Sequence, residues 1–249
     1  MIEAVRLSYE IGGASILRRV NLTVERGRTL AVMGMSGAGK STLLKCLAGL
    51  LRPTGGQVVI DRVDIARMEE RELDRVRCRM GMVFQYAALF DSLNVYDNVS
   101  FGLRRHRRLS EREIAAVVGD KLSLVGLPRT ERLMPSELSG GMQKRVGLAR
   151  ALAMDPDIVL YDEPTSGLDP ITAATIAELI VKTRDELGVT SVVVSHDIAT
   201  INRVSNKIAL LHAGRIIASG TMEEMGRCPD AAVRQFMEGK TDGPIEITR

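Results

Sequence analysis

Residues 34–41 read GMSGAGKS and directly follow the apolar run Thr29–Met33. They match the phosphate-loop pattern G-x-x-x-x-G-K-[ST] at every defined position, between a predicted strand and a predicted helix, which is the context that the pattern requires. Glycines let backbone N–H groups converge on phosphate oxygens, and the N-terminus of the following helix adds partial positive charge. The predicted nucleotide-phosphate site comprises Gly34, Met35, Ser36, Gly37, Ala38, Gly39, Lys40, Ser41 and Thr42.

Two residues of this loop have specific predicted roles. Lys40 is expected to reach the β- and γ-phosphates of ATP, and the hydroxyl of Ser41 is expected to ligate Mg²⁺. The alternative is a glycine-rich turn that binds nothing. We disfavour it because the whole pattern is present in its required context.

A second stretch, IVLYDE at residues 158–163, ends an apolar strand in two carboxylates. This arrangement predicts Asp162 at the C-terminal edge of a sheet, beside the phosphate loop, where it would orient the magnesium shell. Glu163 is our candidate general base for the attacking water. A solvated turn before Pro164 is the alternative, and the presence of the phosphate loop disfavours it.

The distribution of apolar residues predicts an α/β fold. Strands are predicted at Glu3–Tyr9, Ile16–Val24, Thr29–Met33, Gln57–Ile60, Met80–Phe84, Asp157–Tyr161, Thr190–Val194 and Lys207–Leu211. Several are almost continuously apolar, which suits a sheet covered on both faces. Helices are predicted at Lys40–Leu50, Val95–Leu103, Glu111–Val125, Gly140–Met154, Met222–Met225 and Ala231–Met237, before an extended tail, TDGPIEITR.

Composition excludes several classes of protein. Lys and Arg number 34 against 31 Asp and Glu, a balance that does not favour wrapping of nucleic acid. No apolar run approaches the roughly 20 residues of a membrane span, and the N-terminus does not resemble a secretory signal, so we expect a cytosolic location. Three cysteines without metal-ligand spacing are expected to be reduced thiols.

With LSGGM at residues 138–142 added to these stretches, nearly the whole chain resembles the ABC ATPase family. The resemblance implies a P-loop NTPase (RecA-like) core at residues 1–84 and 155–227, with an N-terminal antiparallel β segment. It also implies an inserted helical subdomain at about residues 85–154, and a C-terminal helix and tail at about 228–249.

The resemblance further implies a homodimer in which each signature completes the partner's nucleotide site. Ser139, Gly140 and Gly141 would form this second anion site at the start of a helix. Gln85 would lie in the Q-loop, which contacts magnesium and water, and Asp169 in the D-loop at the dimer interface. His196 would sense the γ-phosphate, although a histidine at the end of a strand is more often structural when taken alone.

The sequence leaves two candidates for the residue that contacts adenine. In many family members an aromatic residue lies about 23 positions before the first glycine of the loop, where this chain has Ile11. Tyr9 lies two residues earlier, and alternate strand residues share a face, so Tyr9 is our candidate.

Two stretches, FQYAALFDSLNVYDNVSFGLR (84–104) and LMPSELSGGM (133–142), resemble ATPases of Mla/Mce-type phospholipid transporters, as does VRQFMEGKTDGP (233–244). This resemblance implies an MlaE-like integral-membrane permease, an Mce-type lipid-binding protein, and a peripheral location on the cytoplasmic face of the inner membrane. Tyr86, Leu89, Phe90, Val95 and Tyr96 would form a groove for the permease, unless they pack inside the helical subdomain.

Other functions remain as alternatives. RRHRR at residues 104–108 would face anionic lipid or form a solvated helix end. A transporter of amino acids or peptides would use the same cassette. A soluble ABC protein acting on nucleic acid is disfavoured, because paired cassettes and coiled-coil insertions are not visible in the sequence.

Overall fold

The computed structural model describes residues 1–245, so the last four residues of the predicted tail lie outside the described part of the chain. The strands are β1 (Ile2–Ile11), β2 (Ala14–Val24), β3 (Thr29–Met33), β4 (Gly55–Ile60), β5 (Val63–Asp64), β6 (Met80–Val83), β7 (Ile158–Asp162), β8 (Thr190–Ser195), β9 (Lys207–His212) and β10 (Arg215–Gly220). The helices are α1 (Lys40–Leu47), α2 (Glu70–Arg77), α3 (Val95–His106), α4 (Glu111–Leu124), α5 (Gly140–Leu152), α6 (Pro170–Leu187), α7 (Ile198–Val204), α8 (Met222–Gly226) and α9 (Ala231–Glu238).

The chain divides into two compact units. The first unit comprises Met1–Arg67 and the described residues from Val192 onward, and the second comprises Met68–Ser191. The predicted helical subdomain, about residues 85–154, lies within the range of the second unit; its exact boundaries stay a prediction. Within residues 1–245, no helix combines the length and the apolarity that a membrane crossing requires.

The first unit contains an antiparallel sheet in the order β2–β1–β4–β5. It also contains β9, which pairs in parallel with β3 and antiparallel with β10. All five residues of β3 are buried, as its unbroken apolar sequence predicts. A core of Ala31, Met33, Ile201, Ile208, Leu210, Met225 and Val233 lies around β3 and β9. This core fixes the end of β3, from which the phosphate loop departs.

The second unit is organised around α5. This helix packs on β6 and against α3, α4 and α6. Its buried side chains include Val146, Leu148 and Leu152, each of which contributes roughly 1.5–3 kcal/mol by leaving water. Strands β6 and β7 pair in parallel, with Val83 opposite Tyr161, so both strands end at the same edge. Gln85 and Glu163 follow these two ends.

The predicted tail is corrected by the structure. Residues 241–245 form a series of bends rather than an extended tail. The buried Gln235 side chain accepts a hydrogen bond from the Ile245 N–H at 2.7 Å and donates one to the Ile245 carbonyl at 3.0 Å. Because these two bonds satisfy the backbone of a buried residue, Ile245 folds back onto α9.

Candidate functional site

The phosphate loop leaves β3 at Met33 and enters α1 at Lys40. Gly34 has φ +157°, and a Cβ at this position would lie 2.3 Å from the Leu211 carbonyl oxygen, so no other residue fits without backbone movement. Gly39 adopts the left-handed conformation as the N-cap of α1. No side chain caps the first turn of α1, as suits a helix start that binds an anion.

Lys40 lies inside this loop, with 7% of its surface exposed. Its ammonium donates hydrogen bonds to the carbonyl oxygens of Gly34, at 2.8 Å, and Met35, at 3.1 Å. Ser41 and Thr42 follow in the first turn of α1 and are half-buried, whereas Ser36 and Gly37 are exposed. The loop thus presents one buried cation and a row of backbone N–H groups, the arrangement that suits phosphate.

The strand that carries Tyr9 lies close to this loop. Tyr9 pairs with Leu17 across β1 and β2, and a Cβ on Gly39 would lie 3.1 Å from a Leu17 methyl carbon. The register of the β1–β2 pairing shifts between Tyr9 and Glu10. The regular alternation of strand faces, from which Tyr9 and Ile11 were expected to share a face, is therefore interrupted between them. Ile11 is 60% exposed at the end of β1. These positions favour Tyr9 as the residue nearer the loop, and adenine contact stays a prediction.

His196 is exposed just after β8, and Asp197 caps the following helix α7. His196 shares a cavity of about 450 Å³ with Met35 and Ser36 of the phosphate loop. The remaining lining comes from Ile198 of α7, from α9 and from the folded-back segment that ends at Ile245. Within the first unit, the structure therefore brings together the predicted γ-phosphate sensor and the phosphate loop.

In the second unit, Asp162 is the last residue of β7 and Glu163 follows it; they are 7% and 8% exposed. Glu163 has φ +46°, a left-handed conformation that is unusual for a residue with a side chain. Its carbonyl accepts a hydrogen bond from the Ser166 N–H at 3.2 Å. Such backbone strain costs on the order of 1–3 kcal/mol and is concentrated at functional sites.

Gln85 lies in a turn that follows β6. Its side-chain amide nitrogen donates to the Ser166 hydroxyl at 3.4 Å, a bond that does not use the amide oxygen. Ala87 and Ala88, in the same turn, both have positive φ, and Arg150 donates to their two carbonyl oxygens at 2.8 and 2.6 Å. Burial lowers the pKa of the Arg150 guanidinium. Arg150 therefore stabilises a strained turn.

The stretch LSGGM contains the start of α5. Ser139 is the N-cap, and its hydroxyl accepts a hydrogen bond from the Met142 N–H at 3.3 Å. Ser139 and Gly140 are exposed, whereas Gly141 is buried, and a Cβ there would lie 2.5 Å from the Thr172 methyl group. An open helix start with a hydroxyl at its cap is suited to binding an anion from outside the chain.

Comparison with known proteins assigns these features to one family. Residues 17–166 match the model of the family described as ABC transporter, and this segment includes the phosphate loop, Gln85, the LSGGM stretch and both carboxylates. The chain belongs to the ABC transporter family.

Curated relatives match almost the whole ABC chain. MlaF of Haemophilus influenzae, the ATP-binding protein of an intermembrane phospholipid transport system, is 44% identical over 247 residues, covering 99% of this chain and 94% of MlaF. MlaF of Escherichia coli is 42% identical, with 98% and 91% covered. The probable ribonucleotide transport ATP-binding protein mkl of Mycobacterium tuberculosis is 42% identical, with 99% and 69% covered.

Solved ABC cassettes confirm the expected fold class. The ATP-binding cassette MJ0796, as a dimer in a post-hydrolysis state with ADP and Pi, superposes with a TM-score of 0.82 at 34% identity, covering 89% of this chain and 99% of that one. The cassette cbiO1 from Clostridium perfringens, part of the ABC transporter complex cbiONQ, gives a TM-score of 0.84 at 32% identity, with 91% and 90% covered. The chain is thus an ATPase of the ABC family with the P-loop NTPase fold.

The aspartate that is predicted to lie in the D-loop has a local role that the sequence analysis missed. Asp169 is the N-cap of α6: its carboxylate accepts bonds from the N–H groups of Ile171 and Thr172, both at 3.0 Å, and from the Thr172 hydroxyl at 2.6 Å. The Thr172 side chain, followed by backbone N–H groups, lowers the pKa of Asp169. The Asp-Pro pair at residues 169–170 is a recognisable helix start.

The predicted apolar cluster after the Q-loop is only partly exposed. Tyr86 is 84% exposed and Phe90 43%, whereas Val95 is fully buried and does not belong to a surface. Phe101, which the sequence analysis did not select, is also exposed and stacks on Phe90 with 4.7 Å between ring centroids. Of the neighbouring basic run, Arg104 pairs with Glu111 at 2.9 Å. Among the residues that the structure describes, the exposed aromatic side chains are therefore Tyr86, Phe90 and Phe101.

Asn98 holds the segment that carries Phe90. Its fully buried side chain accepts a bond from the Phe90 N–H at 2.8 Å and donates to the carbonyl oxygens of Phe90, Leu93 and Asn94 at 2.9–3.1 Å. We expect Asn98→Ala to lower the free energy of unfolding by about 2–3 kcal/mol, because buried backbone groups lose their partners.

Denaturant unfolding measures this change, and the exposed Asn202 provides the matched control. Asn202→Ala is expected to stay within about 0.5 kcal/mol of the native protein. Equal stability of the two variants would contradict the anchoring role of Asn98.

Proposed function

We propose that this chain binds ATP with Mg²⁺, hydrolyses it as a homodimer, and powers phospholipid transport through a separate permease at the cytoplasmic face of the inner membrane. The match to MlaF over almost the full length of both proteins carries the choice of cargo. The local geometry of the phosphate loop and of Glu163 supports the chemistry.

The residues present fit a magnesium ion. Within residues 1–245, no three His, Cys, Asp or Glu side chains form an all-protein metal cage. Mg²⁺ does not need one, because it keeps several waters and binds one or two protein oxygens together with substrate phosphates. The hydroxyl of Ser41, the carboxylate of Asp162 and the amide oxygen of Gln85 are oxygen donors of this kind. When bound, the ion would neutralise charge on the phosphates.

In the proposed reaction, the buried ammonium of Lys40 binds the β- and γ-phosphates. Glu163 orients a water molecule and accepts its proton as the oxygen attacks the γ-phosphorus. The bond between that phosphorus and the bridging oxygen breaks, which gives ADP and phosphate. His196, which shares a cavity with the phosphate loop, would contact the γ-phosphate.

The dimer follows from the second anion site. Ser139 and Gly140 are exposed at the start of α5, so a nucleotide held by a partner chain can reach them. Asp169 would lie at the same interface, where it also caps α6. The dimeric state of the similar cassette MJ0796 supports this assembly.

For coupling, the exposed aromatic residues Tyr86, Phe90 and Phe101 provide an apolar surface beside the Q-loop turn. Such a surface suits a helix of an integral-membrane permease, which we propose to be MlaE-like, working with an Mce-type lipid-binding protein. The specific alternative cargo is a ribonucleotide, favoured by the 42% identity to mkl.

The rate of ATP hydrolysis by the purified chain tests whether the active site is shared between two chains. We expect turnover per chain to rise with protein concentration until the dimer saturates, because each site needs two chains. Constant turnover down to concentrations at which light scattering shows only monomer would contradict the shared site.

Recovery of the native complex from membranes tests the cargo. We expect phospholipid to co-purify, and phospholipid added in vesicles to stimulate hydrolysis by the complex. If ribonucleotides stimulate hydrolysis by the complex and phospholipid does not, the cargo is a ribonucleotide rather than a phospholipid.

A further inference from the structure

Lys144 is a buried lysine that the sequence analysis did not select. It lies on α5, two residues after the LSGGM stretch, with 7% of its surface exposed. Its neighbours on the same helical face, Gly147, Leu148 and Ala151, are buried as well. Burial of a cation in such surroundings is unfavourable unless the cation is fully partnered, so the contacts of Lys144 indicate why it is there.

The Lys144 ammonium donates to two backbone carbonyls, and both belong to residues with predicted roles in hydrolysis. It donates one hydrogen bond to the carbonyl oxygen of Gln85 at 2.5 Å and another to the carbonyl oxygen of Glu163 at 3.2 Å. These carbonyls follow the ends of β6 and β7. One side chain therefore joins the backbone of the Q-loop to the backbone of the candidate base.

The bond to Glu163 stabilises a strained conformation. Glu163 is left-handed, with φ +46°, and its carbonyl accepts from both Lys144 and the Ser166 N–H. Since φ and ψ of Glu163 set the direction in which its carboxylate projects, a donor that fixes this carbonyl also fixes the base. A flipped peptide would point the carboxylate elsewhere.

The charge of Lys144 is set by its environment. Burial lowers the pKa of its ammonium, and the nearby carboxylates of Glu163 and Asp162 offset only part of this decrease. These opposing effects act on a group that also has two carbonyl acceptors. The contacts of Lys144 are therefore with the backbone of Gln85 and Glu163.

We propose that Lys144 is a positioning residue for ATP hydrolysis, holding the backbone of Glu163 and the Q-loop in one arrangement so that movement of the Q-loop reaches the base. This inference rests on the proposed role of Glu163. It adds that the start of α5, which carries the anion site for the partner's nucleotide, also sets the base within its own chain.

Steady-state hydrolysis and nucleotide binding by the full chain test the proposal. In Lys144→Met we expect kcat to fall about tenfold to hundredfold, the effect of misplacing a catalytic group by roughly 1 Å, while the Kd for ATP changes less than about threefold. Lys144→Arg retains two N–H donors and should recover at least about tenfold of a hundredfold loss. The matched control is Lys182→Met, at an exposed lysine of α6, which should behave as the native chain.

Hydrogen exchange separates positioning from general destabilisation. We expect amides of residues 84–88 and 163–168 to exchange faster in Lys144→Met, with no change in α1. If Lys144→Met does not fold, Lys144→Gln, which keeps an N–H donor, is measured in the same way.

Three results would overturn the positioning role: native kcat in a folded variant, a rise in Kd as large as the loss of kcat, or unchanged exchange at both segments. Failure of the native chain to hydrolyse ATP would instead refute the proposed function, so the two failures are distinguishable.

Discussion

Replacing Glu163 with Gln is expected to lower the turnover of ATP by about 10²–10⁴-fold, the usual contribution of a general base. The amide is nearly isosteric with the carboxylate but cannot accept a proton from the attacking water. Because the phosphate loop and Lys40 are untouched, the Kd for ATP should stay within about threefold of the native value. Single-turnover hydrolysis and equilibrium nucleotide binding measure the two quantities.

The Glu163→Gln chain should also accumulate as a closed dimer. If ATP binding closes the dimer and hydrolysis reopens it, a chain that binds without hydrolysing is trapped in the closed state. Size-exclusion chromatography should therefore show a dimer with ATP and a monomer with ADP. Glu186→Gln, at an exposed carboxylate of α6, is the matched control and should turn over normally. Full turnover in Glu163→Gln would exclude Glu163 as the base.

The parts of the site that the sequence predicted depend on local order along the chain. A strand, a glycine loop and a helix start are consecutive at residues 29–47, and a strand ends in two carboxylates at residues 158–163. The positions of Lys40, Asp162 and Glu163 could therefore be read from spacing alone. The structure adds that the backbone of Glu163 has a left-handed conformation, which a glutamate in the sequence does not indicate.

Other features require contacts between residues far apart in sequence. Lys144 donates to the carbonyl of Gln85, 59 residues earlier in the chain. In the sequence, this contact is indicated only by the presence of a lysine on an otherwise apolar helical face. Asn98 makes shorter-range contacts, yet it reads as an ordinary polar residue within a helix. Gln235 holds Ile245 where glycine and proline predicted an extended tail. Such roles follow from tertiary packing, which overrides local preference.

Three helices, α2, α6 and α7, were not predicted, and the first two were missed for different reasons. Helix α2 is strongly charged and buries only Leu73, so its sequence has no apolar stripe to detect. Helix α6 could have been predicted, because Asp169 and Pro170 mark its start and Ile176, Ala177 and Ile180 form a buried face. Helix α2 was missed because its sequence has no apolar periodicity. Helix α6 has both a capping residue and an apolar face with helical periodicity, so it was predictable.

Replacing Lys40 with Ala is expected to raise the Kd for ATP about tenfold to hundredfold. A hydrogen bond to a charged group contributes roughly 1.5–3 kcal/mol, and every 1.4 kcal/mol corresponds to about a factor of ten in affinity. Lys40 is buried within the loop and bonded to the carbonyls of Gly34 and Met35, so its loss removes both the cation and an anchor of the loop.

Isothermal titration with ATP and with AMP measures this change and identifies its origin. AMP lacks the β- and γ-phosphates, so its affinity should change far less than that of ATP if Lys40 binds those phosphates. Lys45→Ala is the matched control, since Lys45 lies on the same helix but is exposed. Equal losses for ATP and AMP would show that Lys40 serves to hold the loop together, and native ATP affinity in Lys40→Ala would refute the phosphate site itself.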